Sequence, residues 1–349
     1  MKIGSIELPS PFAVAPMAGM TDTAFRRLVK RKGGCGLVVT EMVSSEGLVR
    51  GIDRTLEYAE YTEEERPVSI QIFGGDPERM AEAARIVEGM GADIVDVNMG
   101  CPVPKIASRS AGCSLMRDPM HAAGVVAAMT SAVRIPVTVK MRAGWSDRGR
   151  NAPELARLVA DAGAAAVTIH GRTAEQSYRG SADWDLVAGV AQDLPVPVFG
   201  SGDCVEPGQV VDKLRSGVGG VLVGRGVLRN PWILAQAADL VAGRPPREVT
   251  PGDRAAFLHE YLALLLEQRD TEAAGFRHVA PGTAGTPLPA RGRERWVINK
   301  LRALCSWYSK GLEGGSHLRV RVNRAESIAE LREVIDEFFA TIPPAQSVA

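Results

Sequence analysis

The sequence predicts an α/β fold in which a (β/α)8 TIM barrel is followed by a small C-terminal all-helical domain. Three observations carry this prediction. The chain has 349 residues, which is too long for one small domain. Short apolar runs alternate with Ala-rich segments of helix length over the first two thirds of the chain. Hydrophobic residues make up 45% of the chain and aromatic residues only 5%, which suits a parallel sheet packed beneath helices.

Eight apolar runs are predicted to form the barrel strands. In chain order they are residues 12–15, 37–40, 68–72, 94–97, 137–141, 166–169, 196–199 and 221–223. Helix-length segments between them are residues 23–31, 77–90, 121–133, 153–162 and 209–215. The polar stretch 44–66 is longer than the other connections, and it is predicted to be an extended loop over one mouth of the barrel.

A linker is predicted where the helical pattern breaks at Gly243-Arg-Pro-Pro-Arg. The predicted domains are therefore a catalytic barrel, residues 1–243, and a helical domain, residues 244–349. Within the second domain, residues 257–268, 294–310 and 325–340 have helical periodicity. The Gly-, Pro- and Thr-rich segment 273–293 is predicted to be a mobile loop.

The charges of the chain balance, with 41 Lys and Arg residues against 41 Asp and Glu residues, so the net charge indicates no polyanionic partner. Residues 291–324 are locally basic, because they contain nine Lys and Arg residues but only two glutamates, a local net charge of +7. Arg295 and Arg302 stand seven residues apart, as do Arg293 and Lys300, so two basic stripes are predicted on one helix. Such stripes are ordinarily a solvated surface; the alternative is a surface that binds RNA.

The five cysteines include no C-x-x-C pair, which argues against a disulfide framework and against a zinc or other metal site. The N-terminus lacks the pattern of a secretion signal, and no apolar run is long enough to span a membrane. These observations predict a cytoplasmic protein.

Chemistry is predicted at the ends of the strands, where TIM barrels carry their functional residues. The residues there are Pro16-Met17-Ala18, Glu41, Gln71, Asn98 to Cys101, Lys140-Met-Arg142, His170-Gly-Arg172, Gly200-Ser-Gly-Asp203 and Gly224-Arg-Gly226. In residues 93–102 an apolar run breaks into Asn98, Gly100, Cys101 and Pro102. An amide, a close-approach glycine and a thiol thus adjoin each other. The plainer interpretation is a turn that buries an inert cysteine.

The ends of the seventh and eighth strands are rich in glycine, and they predict a phosphate site. Their backbone N–H groups are available for hydrogen bonding, and Arg225 supplies a charge. Neither a G-x-G-x-x-G after the first strand nor a Walker A motif is present, so the sequence predicts no cradle for a dinucleotide or a nucleoside triphosphate.

Taken together, several spaced blocks resemble the tRNA-dihydrouridine synthases, the flavin-dependent family that reduces a uridine of tRNA, and the bacterial B-type branch in particular. The resemblance covers nearly the whole chain. Its blocks are Ala15 to Asp22, Gln71-Ile-Phe-Gly-Gly, Asn98 to Pro102, Val139-Lys-Met-Arg, Ile169 to Thr173, Gly202-Asp203, Gly224-Arg225 and Ser306-Trp-Tyr308.

The resemblance implies a role for each matching position. Pro16, Met17 and Ala18 would form a wall of an FMN pocket, with Gln71, Lys140 and His170 as polar contacts to the flavin. The ribityl chain and phosphate would be held by Ser201, Gly202, Asp203, Gly224 and Arg225. Cys101 would be the proton donor, and Asn98 and Arg172 would contact the substrate. NADPH or NADH would be the reductant, and a uridine of the tRNA D-loop the target. The expected enzyme is a monomer whose helical domain binds tRNA through Arg295 and Arg302.

Three features depart from the family pattern. Ser201 stands where the family usually has Asn, Ala303 and Leu304 replace a Lys-His pair of the B-type branch, and the segment 273–293 is long. The sequence is also compatible with other functions. One is a flavin-dependent reductase of free pyrimidines or a related small molecule; another is a non-catalytic RNA-binding protein. Lys140 could also form a Schiff base, as in an aldolase.

Overall fold

A closed barrel of eight parallel strands forms the core of the protein. The structure is a computed structural model, and it describes residues 1–107, 110–267 and 290–342. Within these residues the barrel strands are β1 Phe12–Val14, β2 Leu37–Val39, β3 Val68–Phe73, β4 Ile94–Met99, β5 Val137–Arg142, β6 Ala166–His170, β7 Val198–Ser201 and β8 Gly220–Val223. Each strand pairs with the next one along the chain, and β8 pairs with β1 to close the barrel. The predicted fold class is confirmed.

Helices surround the barrel and continue beyond it. In the described part of the chain they are α1 Thr23–Lys32, α2 Ser45–Val49, α3 Asp53–Ala59, α4 Pro77–Gly89, α5 Pro104–Ala107, α6 Pro119–Ala132, α7 Ala152–Asp161, α8 Trp184–Asp193, α9 Pro207–Leu214, α10 Arg225–Arg229, α11 Ile233–Val241, α12 Pro251–Glu267, α13 Ala290–Tyr308, α14 Gly315–Arg324 and α15 Ile328–Ala340. Two 3-10 helices are Glu63–Glu65 and Gly112–Arg117. Asp or Ser side chains cap many of the α-helices, as Asp22 does by accepting a bond from Phe25 N–H.

The interior of the barrel is apolar at its base and polar at its mouth. Ala13, Leu37, Ile94, Phe199 and their neighbours on alternate strand positions form an apolar cluster that is separate from the larger core between strands and helices. The same alternation brings polar residues inward near the strand ends. A functional site at the mouth therefore rests on a packed floor.

Strands β4, β6 and β7 run further than the sequence predicts. Asn98, His170 and Ser201 were expected just beyond a strand, yet each pairs within the sheet: Asn98 with Lys140, and His170 with Ser201. Their side chains continue the inward and outward alternation of the strands, so the backbone pairing of the sheet extends through these polar residues. These residues consequently sit on rigid strands rather than on loops.

The prediction that residues 44–66 form a plain loop is wrong. The segment contains α2, α3 and a 3-10 helix, because Ser44 caps α2 through Gly47 N–H and Thr62 forms a capping box with Glu65. Glu65 is fully buried and pairs with Arg26 of α1 at 2.6 Å. The segment is thereby anchored to the barrel.

The C-terminal helices pack on the barrel through aromatic rings. Phe257 of α12 stacks on Tyr308 of α13 with ring centroids 5.5 Å apart, and it also meets Phe25 of α1 edge-on. Helix α14 was not predicted from the sequence, because basic residues are at least as numerous as apolar ones in it and obscure the helical period. Of the predicted loop 273–293, residues 273–289 lie outside the described residues, whereas residues 290–293 belong to α13.

Among the described residues, no helix combines the length and the apolar character that crossing a membrane requires.

Candidate active site

A line of hydrogen-bonded side chains crosses the mouth of the barrel. Asn98 Nδ2 donates to Gln71 Oε1 at 2.7 Å, and Gln71 Nε2 donates to Asp96 Oδ2 at 2.7 Å. At the other end, Asn98 Oδ1 accepts from the backbone N–H groups of Gly100 at 3.1 Å and Cys101 at 2.9 Å. Asn98 therefore shapes the turn that carries Cys101, in the way that Asn side chains commonly stabilise turns.

Cys101 is half-buried at the start of this turn. Its backbone oxygen accepts a bond from Cys113 N–H at 3.1 Å, so the 3-10 helix Gly112–Arg117 supports it from behind. Burial raises the pKa of the Cys101 thiol, and the nearby cations Arg142 and Lys140 offset that shift only in part. The thiol is therefore protonated at neutral pH and is suited to donating a proton.

Two nitrogenous side chains face the same space, and both have lowered pKa values. Burial, with a smaller contribution from Arg142, lowers the pKa of Lys140 to about 8. Burial and then the charge of Lys140 lower the pKa of His170 to about 2, so its imidazole is neutral. Near neutral pH the pair supplies one cation and one neutral ring.

The glycine-rich ends of β7 and β8 form the positively charged side of the mouth. Gly202 has a φ of +125° and its carbonyl accepts from Trp184 Nε1 at 3.0 Å, which fixes the turn. Arg225 lies over the ring of Tyr178 and 4.0 Å from Asp203. A Cβ added at Gly224 would have Met17 Sδ as its nearest neighbour, at 3.6 Å. Among the described residues not adjacent to it in the chain, only the side chains of Met17 and Ala15 come within 4 Å of that position.

Asp203 and Arg172 hold each other in this region. Both carboxylate oxygens of Asp203 accept from Arg172 Nη2, at 2.7 and 2.9 Å. Arg172 is only 2% exposed, and its Nη1 has no hydrogen-bond partner among the described residues. An unpaired buried guanidinium nitrogen is costly, so a ligand oxygen is the natural partner. The acceptor capacity of Asp203, by contrast, is used within the protein.

The loop after β1 carries Pro16 and Met17, which are half-buried, and Ala18, which is exposed. Thr21 braces this loop, because its hydroxyl accepts from Met17 N–H at 3.0 Å. Gly19 N–H donates to Glu41 Oε2 at 2.6 Å. The loop is thus held in one conformation beside Gly224.

Lys300 of α13 reaches this loop from the C-terminal region. Its ammonium lies 3.1 Å from Asp22 and 3.6 Å from Glu41. Burial alone would lower the pKa of Lys300, but Asp22 and Glu41 outweigh it and raise that pKa. From the sequence, Glu41 is predicted at a strand end and Lys300 in a basic stripe. Their meeting with Asp22 was not predicted, since it depends on how α13 packs.

The basic residues of the C-terminal helices divide into two kinds. Arg295 is exposed on α13. Arg302 on the same helix is half-buried and donates to the carbonyls of Val322 and Ala325, at 3.4 and 2.9 Å. Arg319 donates to Ser309, and Arg321 pairs with Glu337. The equal treatment of Arg295 and Arg302 in the sequence analysis therefore does not match their surroundings.

Comparison with known proteins agrees with this geometry. The family model of dihydrouridine synthase (Dus) matches residues 13–287. The chain belongs to the dihydrouridine synthase family. Membership confirms the family recognised from the motifs and the predicted class of enzyme, an oxidoreductase.

Full-length relatives carry the same family name. The chain is 36% identical over 345 residues to a probable tRNA-dihydrouridine synthase of Rickettsia prowazekii, covering 98% of each chain. It is also 36% identical over 354 residues to tRNA-dihydrouridine synthase B of Xanthomonas axonopodis pv. citri, covering 100% of each. The similarity to dihydrouridine synthases thus extends beyond the barrel into the C-terminal helices.

Solved structures share the barrel at low sequence identity. A 2-naphthoyl-CoA reductase complex has a TM-score of 0.52 and 13% identity, covering 70% of this chain and 52% of that one. The structure of TcOYE with pHBA has a TM-score of 0.51 and 13% identity, covering 72% and 94%. At this identity the likeness concerns the fold.

One residue of the line across the mouth was missed altogether. Asp96 lies in β4, is 5% exposed, and accepts from Thr138 Oγ1 at 2.6 Å as well as from Gln71. Burial raises its pKa. The signal was present in the sequence, because Asp96 interrupts an apolar run two residues before Asn98 and must therefore share its face of the strand.

Proposed function

We propose that this dihydrouridine synthase reduces the C5–C6 bond of a uridine in tRNA, with FMN as its cofactor and NADPH or NADH as its reductant. One observation carries the proposal: Asn98 holds the backbone of Cys101, whose thiol is protonated, at a barrel mouth that also presents Lys140 and a neutral His170. Family membership and the full-length relatives named tRNA-dihydrouridine synthase support the choice of substrate.

The residues at the mouth fit a flavin mononucleotide. At Gly100 and Gly224 a Cβ would have its nearest neighbours at 3.6 Å, an ordinary contact distance, and the missing side chains let a flat ring system approach the backbone there. Met17 offers an apolar surface beside Gly224. The charge of Arg225 and the unpaired Nη1 of Arg172 suit a phosphate at the ends of β7 and β8, where TIM barrels commonly bind one.

Individual roles follow from the chemistry of the side chains. When bound, the flavin supplies the hydride that reduces C6 of the uracil ring. Cys101 then gives its proton to C5, a general-acid step that suits a thiol whose pKa burial has raised. Lys140 places a positive charge where electron density accumulates, and the neutral His170 offers a hydrogen bond without a second charge. Because the ring must reach Cys101, the nucleotide leaves its stack.

We infer different roles for the five residues that bear on the substrate and the phosphate end. Asn98 shapes the turn at Cys101, and its second amide N–H, whose only acceptor among the described residues is the weak acceptor Met42 Sδ at 3.8 Å, is the group that would turn to the uracil. Arg172 and Asp203 act as a pair at the phosphate end, with Arg172 as the contact. Arg295 is the phosphate contact on α13, whereas Arg302 holds α14.

The domain division at residue 243 belongs to the same proposal. α11 ends at Val241, and Gly243 has a φ of +70°. Residues 1–243 would bind the flavin, and residues 244–349 would bind tRNA.

A spectrum of the purified protein, followed by release of its cofactor, tests the proposal. We expect flavin absorption, FMN as the released compound, and bleaching on anaerobic addition of NADPH or NADH. Protein that stays colourless after reconstitution with FMN would rule out the proposed cofactor and, with it, the reaction.

A further inference from the structure

Asp96 is a carboxylate buried inside the barrel, beneath the residues that face the mouth. Burying an ionised group is expensive unless its oxygens accept hydrogen bonds. Here each oxygen accepts one: Oδ1 from Thr138 at 2.6 Å and Oδ2 from Gln71 at 2.7 Å. The hydrogen bond from Thr138 ties Asp96 to β5, away from Cys101. The hydrogen bond from Gln71 connects Asp96, through Asn98, to the backbone of Cys101.

The order of donors and acceptors in this line of side chains is fixed at the end that meets Gly100 and Cys101. The backbone N–H groups of Gly100 and Cys101 can only donate, so Asn98 must turn its oxygen toward them. Its amide nitrogen then faces Gln71, which must present its own oxygen.

The residue at position 96 completes the line beyond Gln71. The amide nitrogen of Gln71 has to face Asp96, so position 96 must offer it an acceptor oxygen. An ionised carboxylate meets that requirement, while an apolar side chain would leave the Gln71 amide without its anchor.

We propose that Asp96 is a positioning residue that acts through Gln71 and Asn98 to hold the backbone of Cys101 and so direct its thiol. The inference rests on the proposed function in one respect, namely that Cys101 is the proton donor. The hydrogen-bonded line itself is independent of which pyrimidine is reduced.

Asp96→Val tests the proposal, since it removes the acceptor at similar side-chain size. We expect turnover on tRNA to fall about tenfold, the scale of one lost buried hydrogen bond, with a smaller change in KM. Alkylation of Cys101 by iodoacetamide in the absence of tRNA, followed by mass spectrometry, should become faster by about threefold or more, because the turn is less ordered.

Two further variants separate positioning from stability. Asp96→Asn keeps an oxygen that can accept from Gln71, so we expect it to restore most of the turnover and the slow alkylation. Thr138→Val removes the other hydrogen bond of Asp96, on the side away from Cys101. It should lower the melting temperature as Asp96→Val does, yet leave alkylation of Cys101 unchanged.

The proposal is overturned if folded Asp96→Val protein shows wild-type turnover and wild-type alkylation of Cys101. Should Asp96→Val fail to fold, Gln71→Met breaks the same line between Asp96 and Asn98 and must show the faster alkylation of Cys101. Unchanged alkylation in Gln71→Met would likewise overturn the proposal. Because alkylation needs no tRNA, its outcome is distinct from a failure of the proposed reaction.

Discussion

The mouth of the barrel and the basic surface of α13 and α14 both concentrate polar side chains, but they organise them differently. At the mouth, Asp96, Gln71 and Asn98 are buried and bonded to one another in a fixed order. On the helices, Arg295 is exposed, while Arg302 and Arg319 are used for packing. The mouth therefore has one defined arrangement suited to chemistry, and the helices have a surface charge suited to attracting a polyanion.

The largest effect that this comparison predicts concerns Cys101. Cys101→Ala should lower turnover on tRNA by about 100-fold or more, the scale of a general-acid contribution. Flavin content and the rate of flavin reduction by NADPH should stay at wild-type values, because the thiol takes part after the flavin is reduced. Stopped-flow measurement of the two half-reactions separates these effects.

Cys35→Ala is the matched control for that experiment. Cys35 is buried just before the start of β2, at the opposite end of the barrel from the mouth. Its substitution should therefore affect stability alone. If Cys101→Ala turned over at the wild-type rate, the thiol would be a structural group and the mouth would need another acid.

The second prediction concerns Lys300, where the two regions meet. Lys300→Met leaves the carboxylates of Asp22 and Glu41 in a largely buried place without their cation, and we expect about 3 kcal/mol of lost stability. The loop of Pro16 and Met17 should loosen, so FMN should dissociate more readily. Thermal unfolding with and without added FMN measures both effects.

A double variant sharpens this test. Lys300→Met combined with Glu41→Gln removes one unpaired carboxylate and should recover part of the lost stability. Arg295→Met on the same helix is the exposed control and should leave melting and FMN retention unchanged. Equal behaviour of Lys300→Met and Arg295→Met would mean that α13 does not brace the flavin loop.

The third prediction is a pH dependence set by Lys140. Its pKa is lowered to about 8, so its charge is present below pH 8 and is lost as the pH rises through that value. Reduced flavin carries negative charge and favours the protonated lysine, so reduction above pH 8 takes up an additional proton. We expect the midpoint potential to fall more steeply there, by about 30 mV per pH unit for a two-electron couple.

Lys140→Met should remove this break in slope, and spectroelectrochemical titration between pH 6.5 and 10 would record it. A wild-type slope that stays constant over the range would mean that Lys140 does not respond to the charge on the flavin.

The smallest predicted effect is on the helices. Arg295→Gln should reduce the slope of log affinity for tRNA against log salt concentration by about 0.9 if it removes one phosphate contact. Arg302→Gln should lower the melting temperature and leave that slope unchanged, because Arg302 bonds to the carbonyls at the end of α14. Filter binding at several salt concentrations distinguishes the two variants. Identical slopes for both variants and the wild type would mean that α13 is a solvated helix that does not contact tRNA.

The two regions also differ in how far the sequence could predict them. TIM barrels carry their functional residues where the strands end, so Asn98, Lys140 and His170 could be predicted from their positions. Asp96 lies within β4, two residues before Asn98, and strand alternation could have identified it, but the focus on strand ends left it out. On the helices, a spacing of seven puts Arg295 and Arg302 on one face but does not reveal what packs beside that face. Tertiary packing alone brings α14 against Arg302 and brings Lys300 to Asp22.

The central claim is that the barrel mouth reduces a uridine presented within tRNA, and one experiment tests it most directly. The enzyme is reduced anaerobically by a stoichiometric amount of NADPH and mixed either with tRNA lacking dihydrouridine or with free uridine, while flavin absorption is followed. We predict that tRNA reoxidises the flavin with formation of dihydrouridine and that free uridine reacts far more slowly. Rapid reoxidation by free uridine, with no reaction of tRNA, would contradict the account and identify a reductase of free pyrimidines.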